Sequence, residues 1–326
     1  MLRRNLVISA LAAPAAVVAQ GTRRVMMWSD GSRLGRPYAK DPSVVAFRGR
    51  YLLYFSLPGT GAGGRGWGIG IAESRNLADW QRIGEVMPVQ ACERNGICAP
   101  GARVIGGRVH LFYQTYGNGR NDAICHAESV DGIHFTRDAT NPVFHPTGDW
   151  NAGRAIDADV VKFKGRWFLY AATRDPAMKV QMVVGAAAED GRGFQREAWK
   201  MLGDAPLLRP ELDWERNCIE APATLVRAGN LYMFYAGGYN NEPQQIGCAR
   251  SEDGVRWTRL FQKPLLANGG TGEWNSSESG HPGVLETSDG RTYLFYQGNN
   301  DRGRTWWLSA VEIGWRDGIP YVVEER

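Results

Sequence analysis

The sequence lacks the features of several large classes of protein. Its 38 basic and 34 acidic residues give a net charge of only +4, and they form no block of lysine or arginine. A face that binds nucleic acid needs such a concentration of positive charge, so we expect no nucleic-acid partner. With 43% hydrophobic and 22% charged residues, the composition is that of neither a disordered chain nor a membrane bundle. We therefore expect a globular protein with a full core.

Cysteine is scarce and gives no chemical signature. The five cysteines (Cys92, Cys98, Cys125, Cys218 and Cys248) cannot all pair, and they contain no C-x-x-C unit. Cys125 and Cys248 lie in apolar runs typical of strands, where a thiol behaves as a small buried hydrophobe. A Cys92–Cys98 disulfide stays open as an option in an oxidising compartment. No metal ligands are predicted from these residues.

The N-terminus has the pattern of an export signal. Arg3 and Arg4 precede an apolar run from Leu6 to Ala19, which ends in small residues before Gln20. This run is too short to span a bilayer comfortably. We therefore expect residues 1–19 to be a signal peptide, read by the Sec or the twin-arginine route. We expect the mature protein to be a periplasmic or secreted monomer that has no membrane contact after the signal peptide is cleaved.

One strand pattern recurs five times along the chain. A glycine is followed by a hydrophobic run that ends in aromatic residues, and the copies start 58 to 64 residues apart. Asp131-Gly132 and Asp253-Gly254 separate two later strand-like runs, and Asp-Gly is a strong hairpin signal. Four antiparallel strands repeated five times predict an all-β, five-bladed β-propeller. The copies start at Gly49, Gly107, Gly165, Gly229 and Gly290.

The repeat also predicts the domain organisation. One blade cannot bury its own faces, so residues 20–326 are expected to form one domain, although the length alone would suggest about two. Blade boundaries are expected near residues 95, 153, 216 and 277. Aligned at the start of the inner strand, the blades present one residue each at a position taken as equivalent. These residues are Asp41, Cys98, Asp157, Glu220 and His281.

Three acidic residues and a histidine at matched positions indicate a functional site. The inner strands of a propeller surround its axis, so their starts converge on one mouth of the central channel. Like charges in one confined funnel oppose one another, which makes a purely structural coincidence a poor explanation. We therefore predict that Asp41, Asp157, Glu220 and His281 face the same opening.

Short motifs at these positions resemble a known family. Asp41-Pro42 in blade one, Ile156-Asp157 in blade three and Glu220-Ala221-Pro222 in blade four are similar to the five-bladed glycoside hydrolases of family 43. Families 32 and 68 are more distant relatives on the same fold. The resemblance spans essentially the whole chain after residue 20. It implies that Asp41 is the general base, that Asp157 tunes pKa and orientation, and that Glu220 is the general acid.

The resemblance extends to Gly280-His281, near the axis, where some members of the family hold a calcium ion through water. No cofactor is expected to be required, and a structural calcium ion near His281 is the one metal that the resemblance suggests. Blade three departs from the pattern with Asp157-Ala158-Asp159, so Asp159 competes for the second role. In a regular strand the side chains of Asp157 and Asp159 would point to the same face of the sheet. Arg174-Asp175-Pro176 resembles a family 32 motif but follows a second strand, so it is interpreted as a loop.

The loops around the predicted mouth carry aromatic residues suited to sugars. Trp67, Trp150, Tyr239 and Trp274 are predicted to stack on the substrate, together with contacts from His281 and Asp159. With three carboxylates, the chemistry matches the cleavage of a glycosidic bond. We expect an exported glycosidase that acts on plant or algal oligo- or polysaccharides. The resemblance favours exo-action, inversion, and a product such as arabinose or xylose.

Three other functions stay open at this point. A retaining fructan-type hydrolase would use the same fold with different stereochemistry. A carbohydrate-binding propeller without turnover would keep the aromatic residues but not need Asp41 and Glu220. A phosphorylase is disfavoured because the sequence shows no obvious basic cluster to hold phosphate.

Overall fold

The computed structural model describes residues 24–61 and 66–324, so the predicted signal peptide and Gln20 lie outside the described residues. Five antiparallel sheets surround one axis, and their innermost strands contact one another in a closed ring. The prediction of an all-β, five-bladed propeller is therefore confirmed. Helical structure in the described ranges is limited to single 3-10 turns, and none of it is long and apolar enough to cross a membrane. The turns are Ala91–Glu93, Gly119–Asn121 and Arg196–Ala198.

Blades one to four each contain four strands that follow one another from the axis outward. Strand β1 (Arg24–Trp28) precedes them in the chain. Blade one contains β2 (Lys40–Phe47), β3 (Arg50–Leu57), β4 (Gly68–Ser74) and β5 (Gln81–Val86). Blade two contains β6 (Ile97–Ile105), β7 (Arg108–Thr115), β8 (Ile124–Ser129) and β9 (Thr136–Arg137). Blade three contains β10 (Ile156–Phe163), β11 (Arg166–Arg174), β12 (Gln181–Glu189) and β13 (Lys200–Met201). Blade four contains β14 (Ile219–Arg227), β15 (Asn230–Gly237), β16 (Gln245–Ser251) and β17 (Thr258–Arg259).

Blade five closes the ring with strands from both ends of the described chain. It contains β18 (Glu278–Glu286), β19 (Thr292–Asn299) and β20 (Trp307–Arg316), and β1 pairs with β20 at its outer edge. The short strand β21 (Ile319–Val322) also pairs with β20. Because residues far apart in sequence share one sheet, the circle cannot open at this blade without breaking β-pairing.

The aromatic residues of the repeat form the core between blades. Phe55 of β3 lies in one apolar cluster with Phe295 of β19, from the neighbouring blade. Tyr54 lies on the other face of the same strand, with Val109 and Leu111 of blade two. Each second strand therefore packs on both of its neighbours, which explains why the same pattern is needed five times.

The Asp-Gly segments form hairpin turns as predicted, and they also connect blades. Gly132 follows β8 and its carbonyl accepts a hydrogen bond from the Tyr54 hydroxyl at 2.8 Å. In the same way Gly254 accepts from the hydroxyl of Tyr170 at 2.7 Å. The repeat thus carries a specific polar link between neighbouring blades as well as apolar packing.

Blades two and four share a Glu-Arg-Asn segment before the inner strand, Glu93-Arg94-Asn95 and Glu215-Arg216-Asn217, and its glutamate has a structural role. Glu93 is fully buried and accepts hydrogen bonds from the Tyr113 hydroxyl, at 2.5 Å, and from Arg137, at 2.9 Å. It also accepts from two backbone N–H groups of the segment before it. These bonds fix the loop that leads into the inner strand. The corresponding residues of blade four are Glu215, Tyr235 and Arg259.

No disulfide forms among the five cysteines, which are all free thiols. Cys92 lies on a turn with its Sγ 4.0 Å from that of Cys125, whereas Cys98 lies on the axial strand β6. The Cys92–Cys98 option is therefore wrong, because the two residues belong to different layers of the blade. The predicted burial of Cys125 and Cys248 is confirmed.

Candidate active site

Every inner strand carries a β-bulge near its start, and this bulge builds the site. In each of the five strands the pairing register shifts, and one residue adopts a left-handed backbone with φ between 46° and 56°. Residues other than glycine rarely take this conformation, and such strain is concentrated at functional sites. The five bulge residues are Asp41, Ala99, Asp157, Ala221 and His281.

The predicted alignment of the blades is therefore wrong by one residue in two of them. Cys98 and Glu220 immediately precede the bulge, at the position that Lys40 occupies in blade one. Matching the acidic residues of blades three and four hid this shift. The motif of a residue followed by proline and a small residue, as in Ala99-Pro100-Gly101 and His281-Pro282-Gly283, would have given the correct register.

The site is a cleft of about 390 Å³ at one mouth of the central channel. Asp41, Asp157, Glu220 and His281 all line it, from four different blades. Trp67 and Tyr239 line it as well. The volume falls in the range of small-molecule sites, which suits a short stretch of sugar.

Asp41 is held in place as an anion. The Ser56 hydroxyl donates to its Oδ2, and Nδ1 of His281 lies 3.1 Å from its Oδ1. Its backbone N–H donates to Oε1 of Gln297 at 2.9 Å. Burial alone would raise the pKa of Asp41, but His281, Lys40 and the Ser56 hydroxyl outweigh it and lower the pKa. An ionised carboxylate at this position can accept a proton from water.

His281 supports Asp41 as a hydrogen-bond donor. Burial lowers the pKa of His281, and Asp41 and Glu220 oppose this shift. Nδ1 faces the Asp41 carboxylate, so this ring nitrogen is the one that donates to it. The backbone N–H of His281 donates to Oε1 of Gln244 at 3.1 Å. This contact fixes the bulge of blade five.

Asp157 has the opposite electrostatic state. Burial raises its pKa well above the usual value, and the neighbouring Glu220 and Asp41 raise it further. Its backbone N–H donates to Oε1 of Gln114 at 2.8 Å, but its carboxyl group receives no hydrogen bond from the described residues. Its surroundings therefore favour the protonated form of Asp157.

Two glutamines clamp Glu220 from either side. Nε2 of Gln181 donates to Oε2, and Nε2 of Gln244 donates to Oε1 at 2.5 Å. Gln181 begins β12 of blade three, and Gln244 directly precedes β16 of blade four. The carboxyl group is thus fixed by side chains from two sheets. Neither glutamine was identified from the sequence, since each lies far along the chain from the inner-strand motifs.

Two charged residues near Asp41 were also missed, the partly buried Lys40 and the fully buried Glu278. Lys40 lines the cleft, its Nζ donates to Asn240 at 2.8 Å, and it lies 4.5 Å from the Trp306 ring centroid. Burial raises the pKa of Glu278 to about 8, although Nε2 of Gln297 donates to it at 2.7 Å. Gln297 therefore joins Glu278 to the backbone of Asp41.

Asp159 lies outside the cleft, which corrects its predicted contact with substrate. Its carboxylate accepts from Arg103 at 2.7 Å and from the backbone N–H of Thr224 at 2.6 Å. The bulge between Ile156 and Asp159 breaks the regular alternation, so Asp159 does not share the facing of Asp157. Asp159 connects three blades below the site.

The predicted aromatic platforms divide into two groups. Trp67 stands in the cleft beside Tyr116, with ring centroids 5.4 Å apart, and Tyr239 stands on the far side. Trp150 packs against the core of blade three, and Trp274 packs on Tyr296 at 5.7 Å. Neither Trp150 nor Trp274 lines the cleft, so their predicted stacking on substrate is not supported by the structure.

Arginine side chains line the wall next to blade three. Arg154 and Arg174 face the cleft near Asp157 and Glu220. The interpretation of Arg174-Asp175-Pro176 as only a loop is therefore wrong for Arg174, which ends β11. The expectation that the chain has no basic cluster is also wrong, because these arginines come from separate segments that only the fold brings together.

The structure offers no directly coordinated calcium site near His281 among the described residues, and an ion held there through water stays a prediction. Among residues 24–61 and 66–324, no group of three or more His, Cys, Asp or Glu side chains has the geometry to hold a metal ion. Nδ1 of His281 is also occupied by Asp41. We derive no chemical step from a metal at this position.

The described carboxyl groups suit acid–base chemistry. Asp41 favours the ionised form, and Asp157 interacts with Glu220 and favours the protonated form. Asp41 can therefore accept a proton, and the Asp157–Glu220 pair can deliver one. This division is the one that cleavage of a glycosidic bond requires.

Comparisons with known proteins agree with this geometry. The model of the family described as glycosyl hydrolases family 43 matches residues 35–320. A 1,2-beta-oligomannan phosphorylase from Thermoanaerobacter sp. (strain X514) is 25% identical over 215 residues, which cover 61% of this chain. The match covers 64% of that relative, just under two thirds of its length.

Solved structures share the propeller. A thermostable family-43 glycoside hydrolase superposes with a TM-score of 0.70 at 20% identity, covering 87% of this chain and 92% of the other. An alpha-L-arabinofuranosidase from Lactobacillus brevis gives a TM-score of 0.66 at 19% identity, covering 92% and 95%. At these identities the similarity establishes the fold alone.

Proposed function

The chain belongs to glycosyl hydrolases family 43, and from that premise we propose that it hydrolyses O-glycosidic bonds of carbohydrates in the Asp41–Asp157–Glu220 cleft. The observation that carries the proposal is the contrast in charge within one cleft. His281 and Lys40 lower the pKa of Asp41, whereas burial and Glu220 raise the pKa of Asp157, so the carboxyl groups of this cleft favour opposite protonation states.

The proposed reaction is a single displacement. Asp41 takes a proton from water, the water oxygen bonds to the anomeric carbon, and the bond from that carbon to the leaving oxygen breaks. Glu220 delivers a proton to the leaving oxygen, and its clamp by Gln181 and Gln244 keeps it oriented. Asp157 interacts with Glu220 as a coupled acidic pair that retains a proton, and it contacts the sugar. The product has the inverted anomeric configuration.

The substrate we propose is a plant or algal oligo- or polysaccharide, attacked at a chain end. A cleft of about 390 Å³ has room for only a short sugar segment, which favours exo-action. The aromatic wall of Trp67 and Tyr116 offers a stacking surface for a sugar ring. The inner-strand motifs that resemble family 43 support a pentose as the released sugar.

Export is a separate part of the proposal. The basic and apolar pattern of residues 1–19 supports a signal peptide and a periplasmic or secreted monomer. N-terminal sequencing of the protein recovered from its producing cell tests this. A chain that starts near Gln20 supports export, and a chain that keeps Met1 contradicts it.

The function is tested with a panel of chromogenic pentosides and hexosides and of plant oligosaccharides. We expect release of a monosaccharide from at least one pentoside, and proton NMR of the fresh product should show the inverted anomer. A retained anomer would overturn inversion and support the fructan-type alternative. Binding of oligosaccharides without release of any reducing sugar would overturn the hydrolase and support a binding propeller.

One observation favours a second candidate function. The similar 1,2-beta-oligomannan phosphorylase and the cationic residues in the cleft support phosphorolysis, in which phosphate replaces water. The phosphate oxygen would then bond to the anomeric carbon, and the leaving oxygen would again receive its proton from Glu220. A product of sugar 1-phosphate that forms only when phosphate is present would identify this reaction.

A further inference from the structure

The wall of the cleft next to blade three holds two guanidinium groups that the hydrolytic step does not use. Arg154 precedes β10 and Arg174 ends β11, and both line the cleft. Hydrolysis of a neutral glycoside needs a base, an acid and a water molecule. It does not need two arginines in addition to Lys40. The two arginines therefore require a separate explanation.

Both guanidinium groups converge on one amide oxygen. Nε of Arg174 donates to Oε1 of Gln181 at 2.8 Å, and Nη1 of Arg154 approaches the same atom at 3.5 Å. Because this amide uses its nitrogen on Glu220, it stands between the arginines and that carboxylate. Two positive groups that share one neutral acceptor repel each other unless an anion joins them.

Arg174 has no carboxylate within 4 Å among the residues that the structure describes, although it is half-buried. Its remaining contact is a long one of 3.5 Å from Nη1 to the carbonyl of Met178. The guanidinium also lies 5.1 Å from the ring centroid of Tyr239, which holds it against a flat surface. The guanidinium group is therefore held in place, but its outer N–H groups lack close hydrogen-bond acceptors among the described residues.

Arg154 is only partly neutralised. Its side chain is 12% exposed, and its Nε lies 3.4 Å from Oδ2 of the buried Asp122. This distance is long for a charge-assisted hydrogen bond, which is normally about 2.7–2.9 Å. Arg154 thus keeps donors available to the cleft.

We propose that Arg154 and Arg174 form an oxyanion-binding subsite in the catalytic cleft, which holds a carboxylate or phosphate group next to the bond that is cleaved. Paired arginine forks match the oxygens of such groups in a way that a neutral hydroxyl does not. The inference deepens the proposed function and rests on it for the position of the cleaved bond. The anion has two sources, an acidic sugar unit of the substrate or inorganic phosphate.

The test measures binding without turnover. Isothermal titration calorimetry compares inorganic phosphate, glucuronate and galacturonate with the neutral sugars glucose and galactose. The titrated proteins are the full chain, Arg174→Gln, Arg154→Gln and the control Arg166→Gln. Arg166 is exposed at the other end of β11 and bonds to Glu189, away from the cleft. Circular dichroism checks folding, and Arg174→Lys serves as a second variant that keeps the charge.

We expect at least one of the anions to bind more tightly than the neutral sugars. The comparison is glucuronate with glucose, galacturonate with galactose, and phosphate with both sugars. Arg174→Gln should weaken that binding by about 10- to 100-fold, the loss typical of a charge-assisted contact. Arg174→Lys should retain part of the affinity, and Arg166→Gln all of it. Selective binding of phosphate, with sugar 1-phosphate formed on turnover, assigns the anion as a co-substrate. Selective binding of a uronate assigns it to the substrate.

The proposal is overturned if no anion binds better than its neutral counterpart. It is also overturned if Arg174→Gln binds anions like the unchanged protein but has a lower kcat, because the arginines then only orient Gln181. The proposed function fails independently of this result. A protein that binds anions through Arg174 but cleaves no glycoside would contradict the hydrolase and support the subsite.

Discussion

Asp157 and Asp159 lie two residues apart on one inner strand, and their exposed fractions are 8% and 7%. Asp159 is surrounded by donors from Arg103 and Thr224. Asp157 has no side-chain donor among the described residues and faces two other carboxylates. Burial alone therefore does not separate a functional acid from a structural one. The partners do, and a bulge of one residue decides which partners each aspartate meets.

In all five blades, the inner strand differs in the same way on the two sides of its bulge. On the cleft side, Asp41 and Glu220 bring charge together in one opening. On the far side, the inner strands approach closely through small residues. A Cβ on Gly101 would lie 2.0 Å from the carbonyl oxygen of Ala158, so only glycine fits there. The bulges thus place carboxyl groups at the mouth of the cleft, while the inner strands pack tightly beyond them.

Substitutions on the cleft side should have the largest effect on turnover. Asp41→Asn and Glu220→Gln should each lower kcat on the natural substrate by about 10²- to 10⁴-fold, because each removes a positioned proton transfer. Steady-state kinetics measures the loss, with circular dichroism as a check of folding. Asp190→Asn, at an exposed aspartate on blade three, is the matched control and should keep full activity. Near-normal rates in both cleft variants would refute the assignment.

Asp159→Asn should affect stability rather than chemistry. Removing this charge leaves Arg103 without its partner, and we expect a loss of about 2–3 kcal/mol in the free energy of unfolding. The loss stays below that of a fully buried pair because the Arg103 side chain is 26% exposed. Urea denaturation measures it, while kcat per folded molecule should change little. Unchanged stability with lost activity would reverse the roles of the two aspartates.

Asp157→Asn should stabilise the protein at alkaline pH, whereas Asp159→Asn destabilises it. A raised folded-state pKa means that the stability from Asp157 is complete below its unfolded value of 3.8 and is lost as the pH rises through the folded value. The amide cannot ionise, so the variant should melt at a higher temperature than the unchanged protein at alkaline pH. The difference should disappear toward pH 4. A variant that melts lower at every pH would show that Asp157 is structural, and kcat should fall in either case.

The fold was predictable because its signal is repeated. Five copies of one aromatic strand pattern specify five blades, and the Asp-Gly turns fix the outer hairpins. Asp41, Asp157, Glu220 and His281 were found because they stand in short inner-strand motifs. The one-residue error at Glu220 arose because a bulge leaves no simple trace in the sequence period.

The rest of the site depends on residues that meet only in the folded ring. Gln181 and Gln244 reach Glu220 from the third-strand side of two blades. Arg154 precedes β10 and Arg174 ends its antiparallel partner β11, so the fold brings them to one end of this strand pair although they form no basic run in the sequence. Trp150 and Trp274 were misassigned because an aromatic residue in a loop looks the same whether it stacks on sugar or packs on a sheet.

The central claim is that Asp41 is the base and Glu220 the acid, and a leaving-group series tests it most directly. We would measure kcat/KM for the unchanged protein, Asp41→Asn and Glu220→Gln on aryl glycosides that range from phenol to dinitrophenol. A good leaving group needs little protonation, so the deficit of Glu220→Gln should shrink steadily toward dinitrophenol, while that of Asp41→Asn stays constant. Equal deficits across the series, or a deficit that shrinks for Asp41→Asn instead, would contradict the account.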